Sequence, residues 1–494
     1  MKDAPVRLAA LVGLAVTALL CVTLGAGYLP NDNDTLYADV ARTIVATGDW
    51  LNLDIHGVPF LDKPPGFFWV LALFVHVLGS EEWVMRLPAA LAGGLTASLV
   101  VLGALGAARN RIAALLAPLF LLSSPLWIEY CRRVYMEVPV ALCVLAAVLA
   151  YQHGLTGLDG RRGRPWGLLL GGVFTGLGFM AKSLVGLFGV LPLLVLIVVK
   201  RRWATLRSGW FWGGALAAAV IVAPWHLQQL MTNRNAFLQF TWKLHVEDQN
   251  FEAQPWSTGP WWFYLEALVT QTPELGLLIA IGLGLAISRL ARREPLAELD
   301  LHLVLAMGVM GAVFTASETK KVLYLIPLVP LAALLASRLL ASEIVERRLW
   351  IYVAAGGAAV LGLRALPLFM PSQSFLRGSE PLAVAALATA DRVPEDATLY
   401  SIDIYFSPIQ YYGHRSAVSF WTSNTLPEQT ARIPYIRYGD NVRYLPPAQL
   451  VSTMGTDLPG LWFVPEGLVE KAGLASIWKP VHQAGGVVVL DTRR

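Results

Sequence analysis

Ionisable residues in this largely apolar sequence are concentrated in a few short polar segments, and the first segment is the densest. Residues Asn31–Gly66 read NDNDTLYADVARTIVATGDWLNLDIHGVPFLDKPPG and contain six aspartates, with Lys63 directly after the last one. Lysine binds phosphate as a point charge, and a carboxylate acts as a general base or as a metal ligand. The segment therefore favours a site for a phosphate-bearing substrate.

A structural interpretation of the same segment stays open. In it, Thr35–Thr47 is a short surface helix whose N-terminus is capped by Asp34. That interpretation gives no reason for the charged pair Asp62 and Lys63, which lies directly before the apolar run FFWVLALFVHVLG. A functional reason for the segment therefore has the stronger support.

Other ionisable residues border apolar runs further along the chain, where a charge is costly and function is the first hypothesis. The candidates for a site are Asp34, Asp62, Lys63, Arg133, Glu137, Lys182, His245, Lys320, Lys321 and Tyr324. Some have alternatives without a function in catalysis or binding: Lys182 as a snorkelling lysine, His245 as a lone histidine on a solvated loop and Tyr324 as an aromatic residue at the membrane interface. None of the spacings is a metal motif by itself.

The rest of the chain has the composition of a polytopic membrane protein. Its 494 residues have a mean hydropathy of +0.55 and include 17 tryptophans. The sequence contains many apolar runs of about 15 to 25 residues, and only helices of about 20 residues satisfy their backbone in hydrocarbon. A net charge of +4, scattered over loops, does not suggest nucleic acid. Cys21, Cys131 and Cys143 define neither a disulfide framework nor a metal cluster.

The apolar runs predict about 11 membrane spans. They are Arg7–Leu29, Leu87–Ala107, Ile112–Trp127, Val138–Gln152, Gly167–Met180, Leu184–Val199, Trp210–Trp225, Tyr264–Ser288, Leu301–Phe314, Val322–Leu335 and Trp350–Phe369. The first is interpreted as a retained span, because its apolar part exceeds a signal peptide's and no small-residue cleavage site precedes the acidic loop. Phe67–Gly79 is too short to cross comfortably and is predicted to lie as a helix on the outer surface.

Basic residues predict the orientation. With the N-terminus inside and Phe67–Gly79 not crossing, every arginine-rich loop falls on the cytoplasmic side. These loops contain Arg109, Arg111, Arg161, Arg162, Arg164, Lys200, Arg201, Arg202, Arg207, Arg289, Arg292, Arg293, Arg338, Arg347 and Arg348. The chain is then a multi-pass protein of the plasma (inner) membrane with its carboxy-terminal part outside. Arg133 lies outside against this bias and needs acidic partners such as Glu129 and Glu137, or an anionic ligand.

Two domains are expected, a transmembrane domain at 1–377 with a large outer loop at 30–83, and an extracytoplasmic domain at 378–494. The second has the composition of a soluble domain. It is predicted to contain helices at Pro381–Ala390 and from Pro408–Tyr412, and strands at Thr398–Ile404, Ala417–Trp421, Leu461–Val464 and Gly486–Leu490. This alternation suggests a small α/β layer. No nucleotide loop of the Walker or Rossmann type occurs in its sequence.

Five ordered segments of the membrane part resemble one family, the lipid-phosphate-dependent glycosyltransferases of the GT-C fold, in the group of aminoarabinose transferases and protein O-mannosyltransferases. The segments are Asn33–Asp49 (acidic first-loop motif, then YA, AR and TGDW), Phe60–Pro65 (FLDKPP), Arg86–Ala90 (RLPAA), Gly178–Gly186 (GFMAKSLVG) and Lys320–Pro330 (KKVLYLIPLVP). No single match would suffice, but their order makes the resemblance specific. It implies a GT-C-like polytopic helical protein with a small soluble α/β C-terminal domain.

The resemblance also implies an activity, an inverting transfer of a sugar from a polyprenyl phosphate to an acceptor at the outer face of the membrane. The acceptor class, lipid, glycan or protein, stays open. Carried over by position, Lys63 and Lys182 would hold the donor phosphate, with Tyr324, Lys320 and the outer-side Arg133 also expected at the donor phosphate.

Two further roles follow from the resemblance. Asp62 and His245 would lie where the family can bind a divalent metal ion, the one cofactor that the resemblance implies. Glu137 matches an acidic position after the third span and is expected among the catalytic residues.

One departure from the family concerns the general base. The family usually carries Asp-Glu four and three residues before the tyrosine of its first motif, and here Asn33 and Asp34 occupy those places before Tyr37. We expect Asp34 to be the base, with Asp32 in reserve on the same face of an extended stretch. Another base, or a loss of activity, stays open. Leu36 stands where aminoarabinose transferases tend to carry arginine, so that acceptor specificity is not carried over.

Two other classes of protein are left as alternatives. A transporter would place its charges near the midplane of broken helices in repeated halves, whereas these charges cluster in loops on one side and no internal repeat is visible. A catalytically silent glycosyltransferase-like scaffold is favoured only by Asn33.

Overall fold

The structure, a computed structural model, describes residues 4–493 except 31, 56–57, 107–110, 161–162, 239–258, 344–379, 395–396, 405, 415 and 423–441. Its first part is a bundle of apolar helices. These are α1 Ala4–Cys21, α2 Asp32–Thr47, α3 Gly66–Leu78, α4 Glu82–Leu105, α5 Arg111–Leu122, α6 Pro125–Tyr130, α7 Glu137–Leu158, α8 Gly167–Lys182, α9 Leu191–Val199, α10 Gly209–Thr232, α11 Arg234–Leu238, α12 Phe263–Thr270, α13 Pro273–Ala291, α14 Glu298–Ala316 and α15 Leu328–Glu343. A two-stranded hairpin, β1 Asp54–Ile55 and β2 Val58–Pro59, precedes α3.

Eight helical segments of the described part are long and apolar enough to cross a membrane, which confirms the predicted helical membrane fold. The predicted short helix at Phe67–Gly79 is present as α3, and its position on the outer surface stays a prediction. Two predicted spans are interrupted. Pro125 starts a separate helix after the N-cap Ser124, and Pro273 starts α13 after a break. The predicted span Trp350–Phe369 lies outside the described residues.

The apolar stretch Gly167–Val199 is a hairpin of two segments and not one helix of 33 residues. The chain leaves α8 at Ser183, where φ is 52°, and returns alongside α8 as a 3-10 helix, Ser183–Gly189, followed by α9. Gly186 touches α8 so closely that a Cβ there would lie 2.0 Å from the Phe179 backbone nitrogen. Lys182 therefore sits at the tip of a tight turn.

Salt bridges gather several of the predicted cytoplasmic loops at one end of the bundle. Arg202 binds Asp159, after α7, at 2.8 Å and Glu298, at the start of α14, at 2.5 Å. Arg338 of α15 donates to Asp300 at 2.5 Å and to the backbone carbonyl of Gly103, near the end of α4, at 2.8 Å. The described loops that were predicted to share one side of the membrane therefore share one end of the fold.

The described residues from Glu380 onward form a separate layer of sheet and helix. Its helices are α16 Glu380–Thr389, α17 Phe406–Gly413 and α18 Glu466–Lys471, and its strands are β3 Leu399–Ile402, β4 Ala417–Trp421, β5 Val442–Tyr444, β6 Leu461–Pro465, β7 Pro480–Ala484 and β8 Val487–Asp491. The six strands have the order β5-β4-β3-β6-β8-β7. β3 is parallel to β4 and β6, β5 is parallel to β4, and β8 is antiparallel to both β6 and β7.

The four predicted strands of this domain are confirmed, and β5 and β7 were missed. Both lie at the edges of the sheet, where a strand pairs on one side only and needs less of the apolar pattern that marks a central strand. β7 even begins with a proline, which edge strands tolerate. The predicted domain boundary at residues 377 and 378 falls outside the described residues.

Candidate active site

The loop that carries Asp62 and Lys63 is held between an aromatic cluster and the turn after α8. Phe60, at the start of the loop, is fully buried and packs edge-on against Phe68 and Tyr37 at ring-centroid distances of 5.3 and 6.5 Å. At its end, Gly66 meets the tip of α8, where a Cβ would lie 2.7 Å from the Met180 carbonyl oxygen. Only glycine permits this approach, so the KPPG and FMAK segments are brought together.

Glu137, Lys182 and Tyr324 form one half of the candidate site. Lys182 Nζ donates to Glu137 Oε1 at 2.6 Å and lies 5.2 Å from the centroid of the Tyr324 ring. Tyr324 is in turn stacked on Phe314 at 5.7 Å. Glu137 is almost fully buried, and its second oxygen, Oε2, has no hydrogen-bond partner among the described residues. A buried carboxylate oxygen without a donor is costly, so this oxygen is available to a bound hydroxyl or amine.

Asp62 and Lys63 form the other half. Lys63 Nζ lies 3.3 Å from Asp62 Oδ1, and both side chains are about one-sixth exposed, at 16% each. Asp62 and Glu137 are both close enough to Tyr324 to interact electrostatically with its phenol. The two lysine–carboxylate pairs therefore come from separate segments, and the carboxylates of both pairs act on the same tyrosine.

Asp34 is held in a buried ion pair next to this cluster. Arg133 donates to Asp34 Oδ2 from Nη2 at 2.7 Å and from Nε at 3.2 Å, and the Val134 N–H donates to Oδ1 at 2.8 Å. Arg133 also binds Glu129 at 2.9 Å. Burial tends to lower the pKa of Arg133, but the adjacent Asp34 carboxylate and tyrosines outweigh it and raise that pKa above its ordinary value.

Tyr135 interacts both with the Asp34–Arg133 ion pair and with Glu137. Its phenol forms a hydrogen bond with the Asn33 side chain, and its ring packs edge-on against Tyr37 at a centroid distance of 5.6 Å. Burial first, and then the charges of Asp34 and Glu137, raise the pKa of Tyr135. The phenol therefore stays protonated at neutral pH and lies within the field of both carboxylates.

Two arginines fix the loop that leads from α1 into α2. Arg86, from the RLPAA segment, is buried and donates to the carbonyl oxygens of Leu24, Ala26, Gly27 and Tyr28 at 2.6 to 3.2 Å. Both terminal nitrogens of this guanidinium are engaged by backbone carbonyls, which favours a structural role.

Arg132 holds the same loop from another side. Its Nη2 donates to both the carbonyl and the hydroxyl oxygen of Thr23 at 3.0 Å. Burial lowers the pKa of Arg132 to about 10. This arginine therefore binds the loop after α1.

Several predicted site residues have other surroundings. Lys320 is buried and donates to the carbonyl oxygens of Phe314, Thr315 and Ser317, at the C-terminal end of α14. These contacts occupy the three N–H groups of an ammonium and favour a helix-capping role. Arg133 is likewise engaged by acidic partners, and its predicted contact with a donor phosphate stays a prediction.

The extended stretch expected around Asp32 and Asp34 is wrong, because both positions belong to the first turn of α2. Asp34 is not a cap of this helix either, since its carboxylate is turned to Arg133. The structural interpretation was correct that 35–47 is helical, but wrong that this is a surface helix, because α2 begins at Asp32 and its residues 34–41 are buried. The role of Asp34 as general base stays a prediction.

The metal prediction is left largely untested. His245 lies outside the described residues, and Asp62 pairs with Lys63. Within the described part, no group of three or more His, Cys, Asp and Glu side chains has the arrangement of a metal site. Because His245 lies outside that part, binding of a divalent metal ion stays a prediction.

Sequence reasoning missed Tyr130 and Tyr135, which flank the Arg133 guanidinium at 5.1 and 4.7 Å from its central carbon. The signal was present in the run EYCRRVYME, where aromatic residues alternate with charges at a predicted outer turn. Cation–π contacts of this kind are strengthened where the cation is shielded from water.

Comparisons with known proteins show similarity to membrane glycosyltransferases. Residues 62–227 match the family described as dolichyl-phosphate-mannose-protein mannosyltransferase. The chain is 30% identical to the undecaprenyl phosphate-alpha-4-amino-4-deoxy-L-arabinose arabinosyl transferase 1 of Sodalis glossinidius, over 64% of this chain and 56% of that protein. It is 28% identical to the corresponding transferase of Pectobacterium carotovorum, over 78% of this chain and 70% of that protein. The matched regions thus span about half to two-thirds of these relatives.

The fold is similar to that of ArnT from Cupriavidus metallidurans bound to undecaprenyl phosphate, with a TM-score of 0.77, 17% identity and 98% of both chains covered. The family match falls on the membrane segment that contains Asp62, Lys63, Glu137 and Lys182. The chain therefore has a GT-C-like fold, and by sequence it is similar to the aminoarabinose transferases and, over residues 62–227, to the protein mannosyltransferase family.

Proposed function

We propose that this chain is an integral-membrane inverting glycosyltransferase, which transfers a sugar from a polyprenyl phosphate donor to a lipid, glycan or protein acceptor. The observation that carries the proposal is that the loops of Lys63 and Lys182, from two separate motifs, touch at Gly66 and Met180, and that each lysine is paired with a carboxylate, Asp62 or Glu137. Two ammonium groups suit a phosphate leaving group, and a carboxylate with an unpaired oxygen suits a nucleophile that must lose a proton.

The reaction assigns a role to each group. An acceptor hydroxyl or amine attacks C1 of the sugar on the face opposite the phosphate, and the bond between C1 and the phosphate oxygen breaks. The electron pair of that bond leaves with the polyprenyl phosphate, and the acceptor proton passes to a carboxylate. Lys63 and Lys182 stabilise the charge that develops on the phosphate. Lys182 has three N–H donors and can contact the phosphate while it binds Glu137.

The geometry favours Glu137 over Asp34 as the general base. Asp34 accepts three hydrogen bonds from Arg133 and Val134 and is fully buried, so an acceptor proton has no route to it without movement of the ion pair. Glu137 Oε2 lacks a partner among the described residues and lies on the same carboxylate as the contact to Lys182. Asp34 then holds Arg133 and Tyr135 in place.

The donor class rests on the relatives. Those named above are undecaprenyl phosphate-dependent arabinosyl transferases, and the similar ArnT structure contains undecaprenyl phosphate. Both support a polyprenyl phosphate carrier for this chain. Their sugar and acceptor are not assigned to it, because Leu36 occupies the position before Tyr37 where aminoarabinose transferases tend to carry arginine.

Replacement of Lys63 or Lys182 by alanine is expected to lower turnover at least tenfold. Each change removes a charge-assisted contact to phosphate of about 1.5 to 3 kcal/mol. Mass spectrometry of lipids that copurify with the wild-type chain should first identify a polyprenyl phosphate or its glycosylated form, which then serves as the assay substrate. The same lipid should be depleted in both variants.

Lys200→Ala is the matched control, because Lys200 is an exposed lysine on the loop after α9, at the opposite end of the bundle. It should leave lipid content and turnover unchanged. Full activity in Lys63→Ala would remove that residue from the phosphate site. Copurified polyprenyl phosphate without turnover of any glycosylated form would instead favour a catalytically silent scaffold.

The site is proposed to open on the outer face of the membrane, with the N-terminus in the cytoplasm and the sheet domain outside. The support is the clustering of basic loops at the opposite end of the bundle. In a cysteine-free background, Ser80→Cys and Ser452→Cys should react with an impermeant thiol reagent added to intact cells. Gly209→Cys, on the predicted cytoplasmic side, should react only after the cells are opened. The reverse pattern would invert the topology.

A further inference from the structure

Helix α17 of the sheet domain lies directly on α2, the helix that carries Asp34. Apolar residues of both helices belong to one continuous buried cluster, which includes Leu36 and Tyr37 from α2 and Ile409 and Tyr411 from α17. The soluble domain therefore shares a hydrophobic core with the segment that leads into the candidate site.

Polar contacts from α17 run along the length of α2. The hydroxyl groups of Thr35 and Ser407 lie 2.9 Å apart, and both are buried. Nearby, the Leu29 N–H, just before α2, donates to the Tyr412 hydroxyl at 2.7 Å. The first of these contacts is one residue from Asp34, so α17 constrains α2 at the point where it enters the site.

Gln410 makes a second buried contact with α2. Its side chain is 1% exposed, and its Nε2 donates to Asp39 Oδ2 at 2.8 Å. Its Oε1 accepts from the Ala417 N–H of β4 at 3.3 Å, so the amide is fixed from within its own domain. Asp39 is 2% exposed and, besides Gln410, binds Arg42 at 2.7 Å. One glutamine thus joins the sheet to a buried carboxylate of α2.

Arg42 completes the contact one turn further on. It donates to the Tyr411 carbonyl oxygen at 2.9 Å, lies 4.0 Å from the centroid of the Tyr411 ring, and approaches His414 Nδ1 at 3.1 Å. The contacts at positions 35, 39 and 42 follow the spacing of one helix face. Because a helix moves as a rigid unit, holding this face also fixes the direction in which Asn33 and Asp34 point.

We propose that α17 clamps α2 in its working position and that Gln410 is a positioning residue for glycosyl transfer, although it touches no substrate. The effect on activity rests on the function proposed above, whereas the clamp itself does not. Asp34 is the connection, since it binds Arg133 and Val134 in the turn before Glu137. A displaced α2 would release that turn and with it the pairing of Glu137 with Lys182.

The test uses the full-length chain in lipid nanodiscs. Gln410→Glu places a second carboxylate against Asp39, and Gln410→Ala removes the hydrogen bond. Hydrogen–deuterium exchange over residues 32–47 should show protection lower by about tenfold or more in Gln410→Glu and by a smaller factor in Gln410→Ala. Gln449→Ala, an exposed glutamine of the same domain, should match the wild type.

An exchange of partners separates positioning from a general loss of packing. Combining Gln410→Glu with Asp39→Asn restores one amide–carboxylate hydrogen bond with the two groups reversed, and this variant should regain most of the protection lost in Gln410→Glu alone. Turnover of the copurified donor should follow the same order, with kcat about tenfold lower in Gln410→Glu and KM for the donor nearly unchanged.

Unchanged protection of 32–47 in both Gln410 variants would overturn the clamp. A loosened α2 with unchanged kcat would retain the clamp and overturn the positioning role of Gln410. If the wild-type chain turns over no donor, the proposed function fails, while the exchange measurement still decides whether the clamp exists. If Gln410→Glu does not fold, Gln410→Ala and the exchanged pair carry the same comparison.

Discussion

Glu137→Gln is expected to lower the turnover of glycosyl transfer by about 10²- to 10⁴-fold, the range that a general base contributes. The amide keeps the size of the side chain and can still accept from Lys182 Nζ, which now lies 2.6 Å from Glu137 Oε1. What it loses is the ability to take a proton at Oε2, the oxygen without a partner among the described residues. The effect should therefore fall on kcat, with polyprenyl phosphate binding changed only several-fold.

Asp34→Asn is the comparison that assigns the base. If Glu137 is the base, the folded fraction of Asp34→Asn should retain measurable turnover, because Asp34 serves to hold Arg133. If Asp34→Asn is folded and inactive while Glu137→Gln stays active, the base is Asp34, as the first-loop motif predicts. Asn33→Asp adds a further check. A gain in rate would show that a carboxylate at position 33, where the family carries aspartate, still takes part in the reaction.

The parts of the site that could be predicted from sequence are those that local spacing fixes. Lys63 directly follows Asp62 and precedes two prolines, and Lys182 ends an apolar run before a glycine-containing turn. Both patterns place a lysine at the boundary of a span, where it is either snorkelling or functional. The sequence pattern shows where each lysine lies along the chain. The contact of Gly66 with Met180, which only the structure shows, explains why the two loops meet.

The partners of each charge could not be predicted in the same way, because they depend on contacts between residues far apart in the chain. Asp34 and Arg133 are 99 positions apart, and Asp39 and Gln410 are 371 apart. From the sequence, Lys182 was expected to hold the donor phosphate and Lys320 to lie beside it. The structure distinguishes them, because Lys320 follows α14 closely enough to bind the carbonyl oxygens that its last turn leaves free.

Arg133→Ala is expected to lower the free energy of unfolding by about 3 to 5 kcal/mol, the cost of leaving a buried charge without its partner. The Asp34 side chain is fully buried and that of Arg133 is 8% exposed, so water cannot replace the lost contacts. The fraction unfolded should be followed by circular dichroism during titration with a denaturing detergent. Arg292→Ala provides the control, because that arginine is 47% exposed and its ion pairs should be worth at most about 1 kcal/mol.

A second substitution tests whether the cost comes from the orphaned carboxylate or from lost packing. Arg133 also packs on Tyr130 and Tyr135, so Arg133→Met keeps much of the apolar contact and removes the charge. Combined with Asp34→Asn, it leaves no fully buried charge without a partner, since the Glu129 side chain is 33% exposed, and it should recover most of the stability lost in Arg133→Met alone. Additive losses in the double variant would show that the two residues stabilise the fold independently. Recovery of stability without recovery of turnover would place the ion pair in the function of the site as well as in its folding, because Tyr135 and Glu137 follow Arg133 in the same turn.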